Sequence, residues 1–542
     1  MSSSKLLRGT FILTLGTIIS KALGLFYVIP FNMIVGTQGT VLYQYSYVVY
    51  SIVISIATAG IPLAISKFIS KYNAMGEYAL GRRLFKSGLL VMTCTGFIAF
   101  LAVYLTAPYL AEIIITDDDL HSTVAEVTTV VRAVSFALII VPLMSLIRGF
   151  FQGHESMGPS AISQVVEQIV RIVFLLGGAA IVIYVLKGSI LTAVSIATFA
   201  AFIGAIGGFA VLLWYFRKRK ANLDNLLLDD KGQLTDISLP TMYKEILISA
   251  APFVFVGIAN PLFQLVDTVT FNLAMVKIGL GAVSETALTI FNYQTHKIVI
   301  IPVSLATAFS LALVPLITRA FVSNDQTSVN HNLDQTFQIL LFITLPASVG
   351  LSVLAEPIYR LFYGTEELML GTEVLRMYSP VAILFSLYSV TAAILQGINE
   401  QRFTILSLLV GILVKLTLNI PLIERWEAEG AIMATALGYA VSIIINLIVI
   451  KIYANYSFKL VFRRGVLIAG FTVVMMIGTE IVYKLLTLFL STNSVVSSFL
   501  LLIVTALIGA ILYVFLAYRT KLIYILFGDR AERIKRKLHL PF

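Results

Sequence analysis

Residues 10–35 read TFILTLGTIISKALGLFYVIPFNMIV. This run is apolar and long enough for a transmembrane helix, which needs roughly 20 residues. Lys21 lies in its middle, and the helix-weakening residues Gly24 and Pro30 follow it. A cation near the bilayer centre costs about 2.5–3.5 kcal/mol even on lenient insertion scales, so it normally faces a cavity or a partner. The stretch therefore predicts a membrane helix that lines a polar interior, and a lysine that snorkels to one interface is the alternative.

The composition places the whole chain in the same class. Of its 542 residues, 58% are hydrophobic and 12% are charged, whereas soluble domains carry about 25% charged residues. The net charge of +10 does not indicate nucleic-acid binding, because the cations lie in loops between apolar runs. The single cysteine, Cys94, excludes a disulfide framework. The first apolar run exceeds the hydrophobic region of a signal peptide, so we expect it to remain as a span. An all-α polytopic membrane protein is predicted.

Apolar runs separated by polar breaks predict about fourteen transmembrane helices. They are 10–35, 41–66, 87–111, 124–151, 160–186, 190–216, 245–275, 286–318, 333–355, 372–397, 403–423, 430–453, 466–490 and 495–518. Lys and Arg collect in one set of loops, whereas the opposite loops carry acids such as Asp117-Asp118-Asp119. An excess of Lys and Arg marks the cytoplasmic side, so both termini are expected in the cytoplasm.

The chain also repeats itself. Val131–Ser135 resembles Leu375–Ser379, and the same offset places Arg171 opposite Lys415. Spans one to six are therefore read as duplicated in spans seven to twelve. Six is an even number, so the two copies enter the membrane in the same sense and form parallel repeats. Spans thirteen and fourteen have no counterpart and are two extra C-terminal helices.

These patterns predict five segments. They are an N-lobe of spans one to six (1–219), a cytoplasmic linker (220–240), a C-lobe of spans seven to twelve (241–455), spans thirteen and fourteen (456–520), and a tail (521–542). The tail mixes basic and apolar residues and is predicted to be an amphipathic cytoplasmic helix on the anionic inner leaflet, with a merely solubilising tail as the alternative.

Motifs for catalysis are absent from the sequence. It contains no Gly-x-x-x-x-Gly-Lys-Ser/Thr loop, no His-Glu-x-x-His and no Gly-x-Ser-x-Gly, and its five histidines are scattered. Neither ATP hydrolysis nor a zinc site is expected. The sequence predicts a carrier rather than an enzyme, with no cofactor and no metal.

The few charges inside the predicted spans are mostly basic. Glu167 and Arg171 are i,i+4 neighbours, so they either neutralise each other or take part in a substrate site. Lys415 shares a helix face with Asn419, and Arg148 is expected to be an interfacial cation. Because cations outnumber internal acids, we expect the substrate to supply the anion. A phosphate or diphosphate group fits, since Lys and Arg are its usual ligands.

The arrangement resembles the multidrug/oligosaccharidyl-lipid/polysaccharide exporter superfamily, and within it the polysaccharide-transporter branch that contains the MurJ-type lipid II flippases of Gram-positive bacteria. Ser20–Phe26 stands where those proteins carry Ser-Arg-x-Leu-Gly-Phe, and Ala57–Gly60 and Lys297–Pro302 also match. The chain departs from the family at Tyr27, where an arginine is expected, and at Ser55, where a second family arginine falls.

The resemblance implies a flippase in the bacterial cell membrane that moves an undecaprenyl-diphosphate-linked sugar, with lipid II the first choice, between the leaflets. Its partners would be that lipid, the bilayer and cell-wall synthesis enzymes. The candidate substrate-binding residues are Ser20, Lys21, Tyr27, Ser55, Arg171, His296, Lys297 and Lys415. The candidate coupling residues are Glu167, Asp267 and Asn419, with the membrane potential, Na⁺ or H⁺ as the energy source.

Three functions remain open at this point. In a flippase, the diphosphate would be held by Lys21 and Lys297 during alternating access. In an ion-coupled multidrug exporter of the same superfamily, an intramembrane carboxylate such as Asp267 or Glu167 would couple transport. Another polysaccharide lipid-intermediate flippase is a variant of the first. A non-transporting scaffold is the third class, and it is disfavoured by the cost of so many cations in the membrane.

Overall fold

The computed structural model describes residues 3–59, 61–115, 120–230, 238–311, 313–489 and 495–527, and these residues are helical or in short connections, without a β-strand. Their α-helices are α1 (Ser3–Phe26), α2 (Val28–Ala59), α3 (Ile61–Met75), α4 (Tyr78–Ile114), α5 (Val124–Ser135), α6 (Ala137–Gly153), α7 (Met157–Ala180), α8 (Ile190–Asn225), α9 (Leu239–Lys277), α10 (Gly281–Thr289), α11 (His296–Leu311), α12 (Val314–Val322), α13 (Gln326–Val353), α14 (Ala355–Tyr363), α15 (Leu368–Tyr378), α16 (Val381–Gly397), α17 (Arg402–Tyr453), α18 (Lys459–Thr487), α19 (Val495–Arg519) and α20 (Leu522–Phe527). Two π-helical segments, Ile181–Val185 and Ile290–Thr295, follow α7 and precede α11.

Ten of these helical stretches are long and apolar enough to cross a membrane, or eleven when α15 and α16, bent by 41°, count as one span. α17 satisfies the test as one helix, although Trp426 and Glu427 have non-helical backbone angles inside it. Its two halves therefore match the predicted spans eleven and twelve. With the remaining helices, this set is consistent with about fourteen spans.

The first predicted span is two helices. α1 ends at Phe26 and α2 begins at Val28, so the break falls at Tyr27, between the two residues that weaken the helix. Pro30 is then in the first turn of α2, where a missing backbone N–H costs no intrahelical bond. A second break follows inside α2, where Gly36 has a φ of 66° and a ψ of −172°. A side chain is strained at such a φ, so glycine permits the turn between spans one and two.

Capping side chains fix where several helices begin. Thr123 and Glu126 form a capping box at the start of α5. Asp325 caps α13, because its carboxylate accepts hydrogen bonds from the hydroxyl of Ser328 at 2.6 Å and from its backbone N–H at 3.0 Å. These bonds to the charged form lower the pKa of Asp325. The spans thus start where polar loop residues satisfy the first backbone N–H groups.

The chain divides into two compact units, Met1–Thr289 and Ile290–Phe542. The first has a core between α3, α4, α6, α8 and α9, in which the Phe85 and Phe150 rings lie 4.1 Å apart between centroids. The second has one core around Phe337 and a second where α18 and α19 pack on α13. Between membrane helices, close van der Waals packing of such side chains stabilises the contact, since lipid is as apolar as the side chains themselves. The five segments predicted above were drawn from sequence similarity between the repeats, whereas these two units are defined by compactness. The five segments therefore stay predictions.

Some predicted features lie outside the described residues. They are the acidic run Asp117-Asp118-Asp119, Gly60 of the span-two motif, Lys231 of the linker, and the basic part of the tail from residue 528 onward. The described part of the linker is helical at its start, because α8 continues to Asn225 and a 3₁₀ turn follows at Leu226–Asp229.

Candidate functional site

A polar seam joins α1 to α7 in the first unit. The Thr17 hydroxyl donates to the Gln164 side-chain oxygen over 3.1 Å. Lys21 lies one turn further along α1 and is exposed, and Gln168 lies one turn further along α7. Residues four apart share a helix face. Thr17 and Lys21 on α1 and Gln164 and Gln168 on α7 therefore form one polar strip between the two helices, which we call the seam. The exposed Lys21 lies at its edge.

Ser20 contributes to the same seam. Its hydroxyl oxygen is buried and has no hydrogen-bond partner among the described residues. A buried polar atom of this kind costs stability unless something else satisfies it. The side chain thus has hydrogen-bonding capacity that the described protein leaves unused.

Arg171, one turn beyond Gln168 on α7, is held by tyrosines. Its Nη2 donates to the Tyr43 hydroxyl over 3.1 Å, and its guanidinium carbon lies 5.2 Å from the centroid of the Tyr50 ring. Tyr43, Tyr47 and Tyr50 recur at helical spacing on α2, so they form one stripe opposite α7. The guanidinium Nε is buried without a hydrogen-bond partner among the described residues. Neutral phenols orient the guanidinium by hydrogen bonding and cation–π attraction without cancelling its charge.

Tyr27 belongs to this cluster although it lies between two helices. It is buried, and its hydroxyl is 3.3 Å from the hydroxyl of Tyr43. A continuous hydrogen-bonded chain therefore runs from Tyr27 through Tyr43 to Arg171. The structure thus brings together two predicted site residues, Tyr27 and Arg171, that lie far apart in the sequence. Ser55, the remaining candidate on α2, is partly buried beyond the tyrosine stripe.

Glu167 pairs with Arg148 rather than with Arg171. Arg148 Nη2 lies 2.7 Å from Glu167 Oε2, and Arg148 Nε donates to the Ser163 hydroxyl over 2.9 Å. The side chain of Arg148 is only 8% exposed. The expectation of an interfacial, snorkelling Arg148 is therefore wrong, because α6 and α7 enclose it and supply a carboxylate. Glu167 is therefore paired with Arg148 and not with Arg171, and its part in coupling stays a prediction.

In the second unit, His296 and Lys297 open α11 directly after a π-helical segment. Lys297 Nζ donates to the Tyr293 hydroxyl over 2.8 Å and lies 4.0 Å from the centroid of that ring. His296 Nδ1 is 2.8 Å from the Tyr378 hydroxyl. π-helical segments are frequent at functional sites, because they redirect successive side chains away from regular helical spacing. Here the segment Ile290–Thr295 positions two adjacent candidates toward different aromatic partners.

Lys415 and Asn419 lie inside the second unit. Both are fully buried on α17, and Lys415 Nζ donates to the Thr435 hydroxyl of the other half of that helix. A buried ammonium needs polar partners to offset its desolvation. Lys415 thus ties the two halves of α17 together, and its full burial excludes contact with a substrate in this state.

Asp267 is buried on α9, with 2% of its surface exposed, in a row of buried polar side chains. Gln264, Thr268 and Asn272 continue that row at helical spacing. α9 packs against α2. The predicted coupling carboxylate is therefore on a polar helix face rather than in an apolar core.

Glu285 is a buried carboxylate that the sequence did not identify as a candidate. Glu285 on α10 is 2% exposed, and the Tyr45 hydroxyl donates to its Oε1 over 2.9 Å. Its Oε2 accepts from the backbone N–H groups of His121 and Ser122 at 2.7 Å and 3.0 Å. Glu285 falls one residue before the predicted start of span eight, so it counted as a loop residue. Its position beside Ser284 in a largely apolar stretch was the available signal.

The described residues contain no group of three or more His, Cys, Asp or Glu side chains that could hold a metal ion. The geometry is instead that of separate cations on polar helix faces, of which Arg171 and Lys297 donate to tyrosine hydroxyls. Arginine and lysine side chains are common ligands of carboxylate and phosphate oxygens in proteins.

Two family models match the chain. The model described as polysaccharide biosynthesis protein matches residues 6–321, and the model described as MatE matches residues 252–420. Together they cover the first repeat and most of the second.

Known proteins are similar over nearly the full length. The lipid II flippase MurJ of Bacillus subtilis is 47% identical over 539 residues, which is 99% of each chain. A solved structure of a lipid II flippase MurJ in an inward closed conformation matches with a TM-score of 0.62 at 15% identity, over 95% of this chain and 99% of that one. An inward-facing multidrug resistance transporter of the MATE family matches with a TM-score of 0.65 at 15% identity, over 84% and 98%. The predicted fold and the predicted family resemblance are confirmed.

Proposed function

This chain belongs to the polysaccharide biosynthesis protein family, and from that membership we propose that it is a flippase. Its substrate is an undecaprenyl-diphosphate-linked cell-wall precursor, lipid II as the first choice, which it moves from the inner to the outer leaflet. The observation that carries the proposal is the 47% identity, over 99% of both chains, to a protein named as a lipid II flippase. At that identity over the full length, the two chains share more than a fold.

The cation sites support an anionic substrate. The charge of Arg148 is balanced by Glu167, whereas Arg171 is oriented by neutral tyrosines. A guanidinium in that state retains its attraction for phosphate oxygens, which it binds through two parallel N–H groups. Arg171 is therefore our first choice in the first unit for the diphosphate.

Two lysines complete the set. Lys21 is exposed at the edge of the α1–α7 seam, and Lys297 is oriented by Tyr293. An ammonium is a compact point charge on a flexible stem, suited to following a diphosphate as it moves. Ser20, with its unused hydroxyl, and the glutamines of the seam supply hydrogen bonds for sugar hydroxyls.

The transport cycle we propose is alternating access, in which the substrate site opens first to one leaflet and then to the other. The membrane potential is the proposed energy source for returning the emptied, positively charged site, at about 2.3 kcal/mol per charge per 100 mV. Coupling to Na⁺ or H⁺ through Asp267 is the alternative source.

The chain is a multi-pass membrane protein with transporter relatives. We place both termini in the cytoplasm, because Lys and Arg collect in the loops on that side. We further propose that it works as a transporter without catalysing a reaction, and that enzymes of cell-wall synthesis deliver or remove its lipid substrate.

A multidrug exporter is the second candidate. The MatE model matches residues 252–420, and a multidrug transporter has the same fold. An ion-coupled exporter needs an accessible membrane carboxylate. Glu167 is paired with Arg148 and Asp267 is buried on α9, so either carboxylate would have to become accessible before it could carry a coupling ion.

The deciding experiment measures leaflet exposure of a polyprenyl-diphosphate sugar in sealed proteoliposomes with and without purified protein. We expect protein-dependent exposure, reduced at least tenfold by Lys21→Ala. Lys220→Gln, an exposed cation at the end of α8, is the matched control and should flip at the wild-type rate.

The opposite result also has a meaning. If wild-type protein moves no lipid-linked sugar with any imposed potential, proton gradient or sodium gradient, the flippase proposal fails. Cationic dyes then become the substrates to test, under the exporter alternative.

A further inference from the structure

Glu285 stands at the centre of a hydrogen-bonded cluster that the substrate site does not use. The cluster consists of Glu285, Tyr45, Asn272 and the backbone of His121 and Ser122. Glu285 accepts three hydrogen bonds, from the Tyr45 hydroxyl and from the backbone N–H groups of His121 and Ser122. A fourth bond runs from Asn272 Nδ2 to the Tyr45 hydroxyl over 2.9 Å. We call these residues the Glu285 cluster.

The two sides of the Glu285 cluster come from different sequence repeats. Tyr45, His121 and Ser122 belong to the first repeat, whereas Asn272 and Glu285 belong to the second. All four hydrogen bonds therefore run from one repeat to the other. Any cycle that moves the repeats apart at this end has to break them together.

The interaction is polar although it is buried. Glu285, Tyr45 and Asn272 are each at most 2% exposed. The carboxylate exchanges water for hydrogen bonds of similar strength, so the net stabilisation from each bond is modest and the contact is reversible. An apolar contact of the same extent would form no hydrogen bonds with water when it opened, so nothing would replace the interactions that it lost.

Neighbouring polar atoms are left unsatisfied in the present state. Gln44, next to Tyr45, is fully buried, and both polar atoms of its amide lack hydrogen-bond partners among the described residues. The Oδ1 atom of Asn272 is in the same condition. Unsatisfied buried groups require an explanation. Their cost is relieved in a state in which water reaches this interface.

We propose that the Glu285 cluster is a latch, which closes the end of the molecule formed by the loop 120–123 and opens when the carrier changes state. This inference rests on the proposed function for its place in a transport cycle. Residues 120–123 lie between α4 and α5, directly before α5, and the distribution of basic residues assigns this connection to the outer side. The latch thus guards release of the substrate rather than its entry.

The test uses cysteine accessibility, which does not depend on knowing the substrate. Gln44→Cys, in a Cys94→Ser background and in lipid nanodiscs, reports opening through its rate of reaction with a maleimide. Glu285→Gln keeps the size of the side chain but turns one of its two acceptor oxygens into an NH₂ group, so the side chain can no longer accept from Tyr45 and from the loop with separate oxygens. We expect labelling of Gln44→Cys to become about tenfold faster, which corresponds to a shift of about 1.4 kcal/mol.

Matched variants separate opening from unfolding. Glu112→Gln changes an exposed acid near the end of α4, outside the loop 120–123, and it should leave the labelling rate unchanged. Tyr45→Phe removes one hydroxyl but keeps the ring, and it should accelerate labelling less than Glu285→Gln does. Ala205→Cys reports on the distant core of the first unit, where Ala205 is fully buried, and it should stay protected in every variant.

Two outcomes would overturn the latch. The first is equal labelling of Gln44→Cys with and without Glu285→Gln in protein whose Ala205→Cys reporter is protected. The second is full flipping activity in a Tyr45→Cys/Glu285→Cys protein joined by a bis-methanethiosulfonate linker. If wild-type protein flips no lipid but the labelling rates change as expected, the proposed function fails and the latch stands.

Discussion

Arg148 donates to Glu167 across the α6–α7 contact, Nη2 to Oε2, over 2.7 Å. Glu167 is one helical turn from Arg171 on the same face of α7, yet its carboxylate is engaged by Arg148 of α6. Glu167 and Arg171 therefore have different roles, although they are neighbours on α7. Glu167 stabilises the packing of α6 on α7, and Arg171 keeps its positive charge among the tyrosines of α2.

Loss of Arg148 should therefore affect stability first. Arg148→Met leaves the Glu167 carboxylate with its charge uncompensated in a largely buried place, and removal of one partner of such a pair costs about 3–5 kcal/mol. We expect a clear fall in the thermal unfolding midpoint of the detergent-solubilised protein. The double variant Arg148→Met/Glu167→Gln should recover most of that loss, and an equal loss in single and double variants would refute the pairing.

Arg171 should affect transport more than stability. Arg171→Gln removes a charge-assisted contact with phosphate worth about 1.5–3 kcal/mol, so we expect flipping to fall by about 10- to 100-fold. Arg171→Lys keeps the charge but not the planar fork, and it should retain intermediate activity. Full flipping by folded Arg171→Gln protein would remove this residue from the site. The readout is leaflet exposure of the lipid-linked sugar in proteoliposomes.

Gly204 allows α8 to approach α7 at the level of these charges. A Cβ atom at Gly204 would lie 2.7 Å from the Arg171 Cβ and 2.8 Å from the Glu167 carbonyl oxygen. Gly204→Ala should therefore displace α7, reduce flipping and lower the thermal midpoint. The control is Gly177→Ala on α7, where nothing lies within 4 Å of the added atom and alanine favours the helix by about 1 kcal/mol. Similar behaviour of the two variants would show that close approach is not what Gly204 provides.

Variants of Lys297 and Tyr293 distinguish the effect of the ammonium charge from the effect of the tyrosine that orients it. Lys297→Met removes the ammonium and should reduce flipping at least tenfold, as expected for a contact with the diphosphate. Tyr293→Phe removes the hydroxyl that accepts from Lys297 but keeps the ring, so its effect should be smaller. A larger effect of Tyr293→Phe than of Lys297→Met would indicate that the tyrosine itself contacts the substrate.

Asp267 distinguishes the two candidate functions. In an ion-coupled exporter, Asp267→Asn removes the group that carries the coupling charge, so dye transport driven by an ion gradient should cease. In a flippase driven by the membrane potential, the same variant should keep most of its lipid transport. Measuring both substrates with one protein preparation gives a direct comparison.

The sequence was sufficient for the helical fold, because the length of the apolar runs depends only on local composition. The break of the first span was indicated by Gly24 and Pro30, although its position at Tyr27 depends on tertiary contacts with Tyr43. For the site, helical spacing identified the cations but not their partners. Spacing favoured Arg171 for Glu167, and Arg148 is the partner because α6 packs on α7 at that height. Glu285 was missed, since a residue at a span boundary looks exposed until its neighbours in space are known.

Tyr27 occupies the junction of α1 and α2 and also ends the hydrogen-bonded chain that leads to Arg171. An anion that draws the guanidinium away from Tyr43 therefore alters the support of that junction. By thermodynamic reciprocity, the angle between α1 and α2 must then alter the affinity for the anion by the same factor. Anything that stiffens the junction acts as an allosteric effector of the site, including a ligand that never touches a cation.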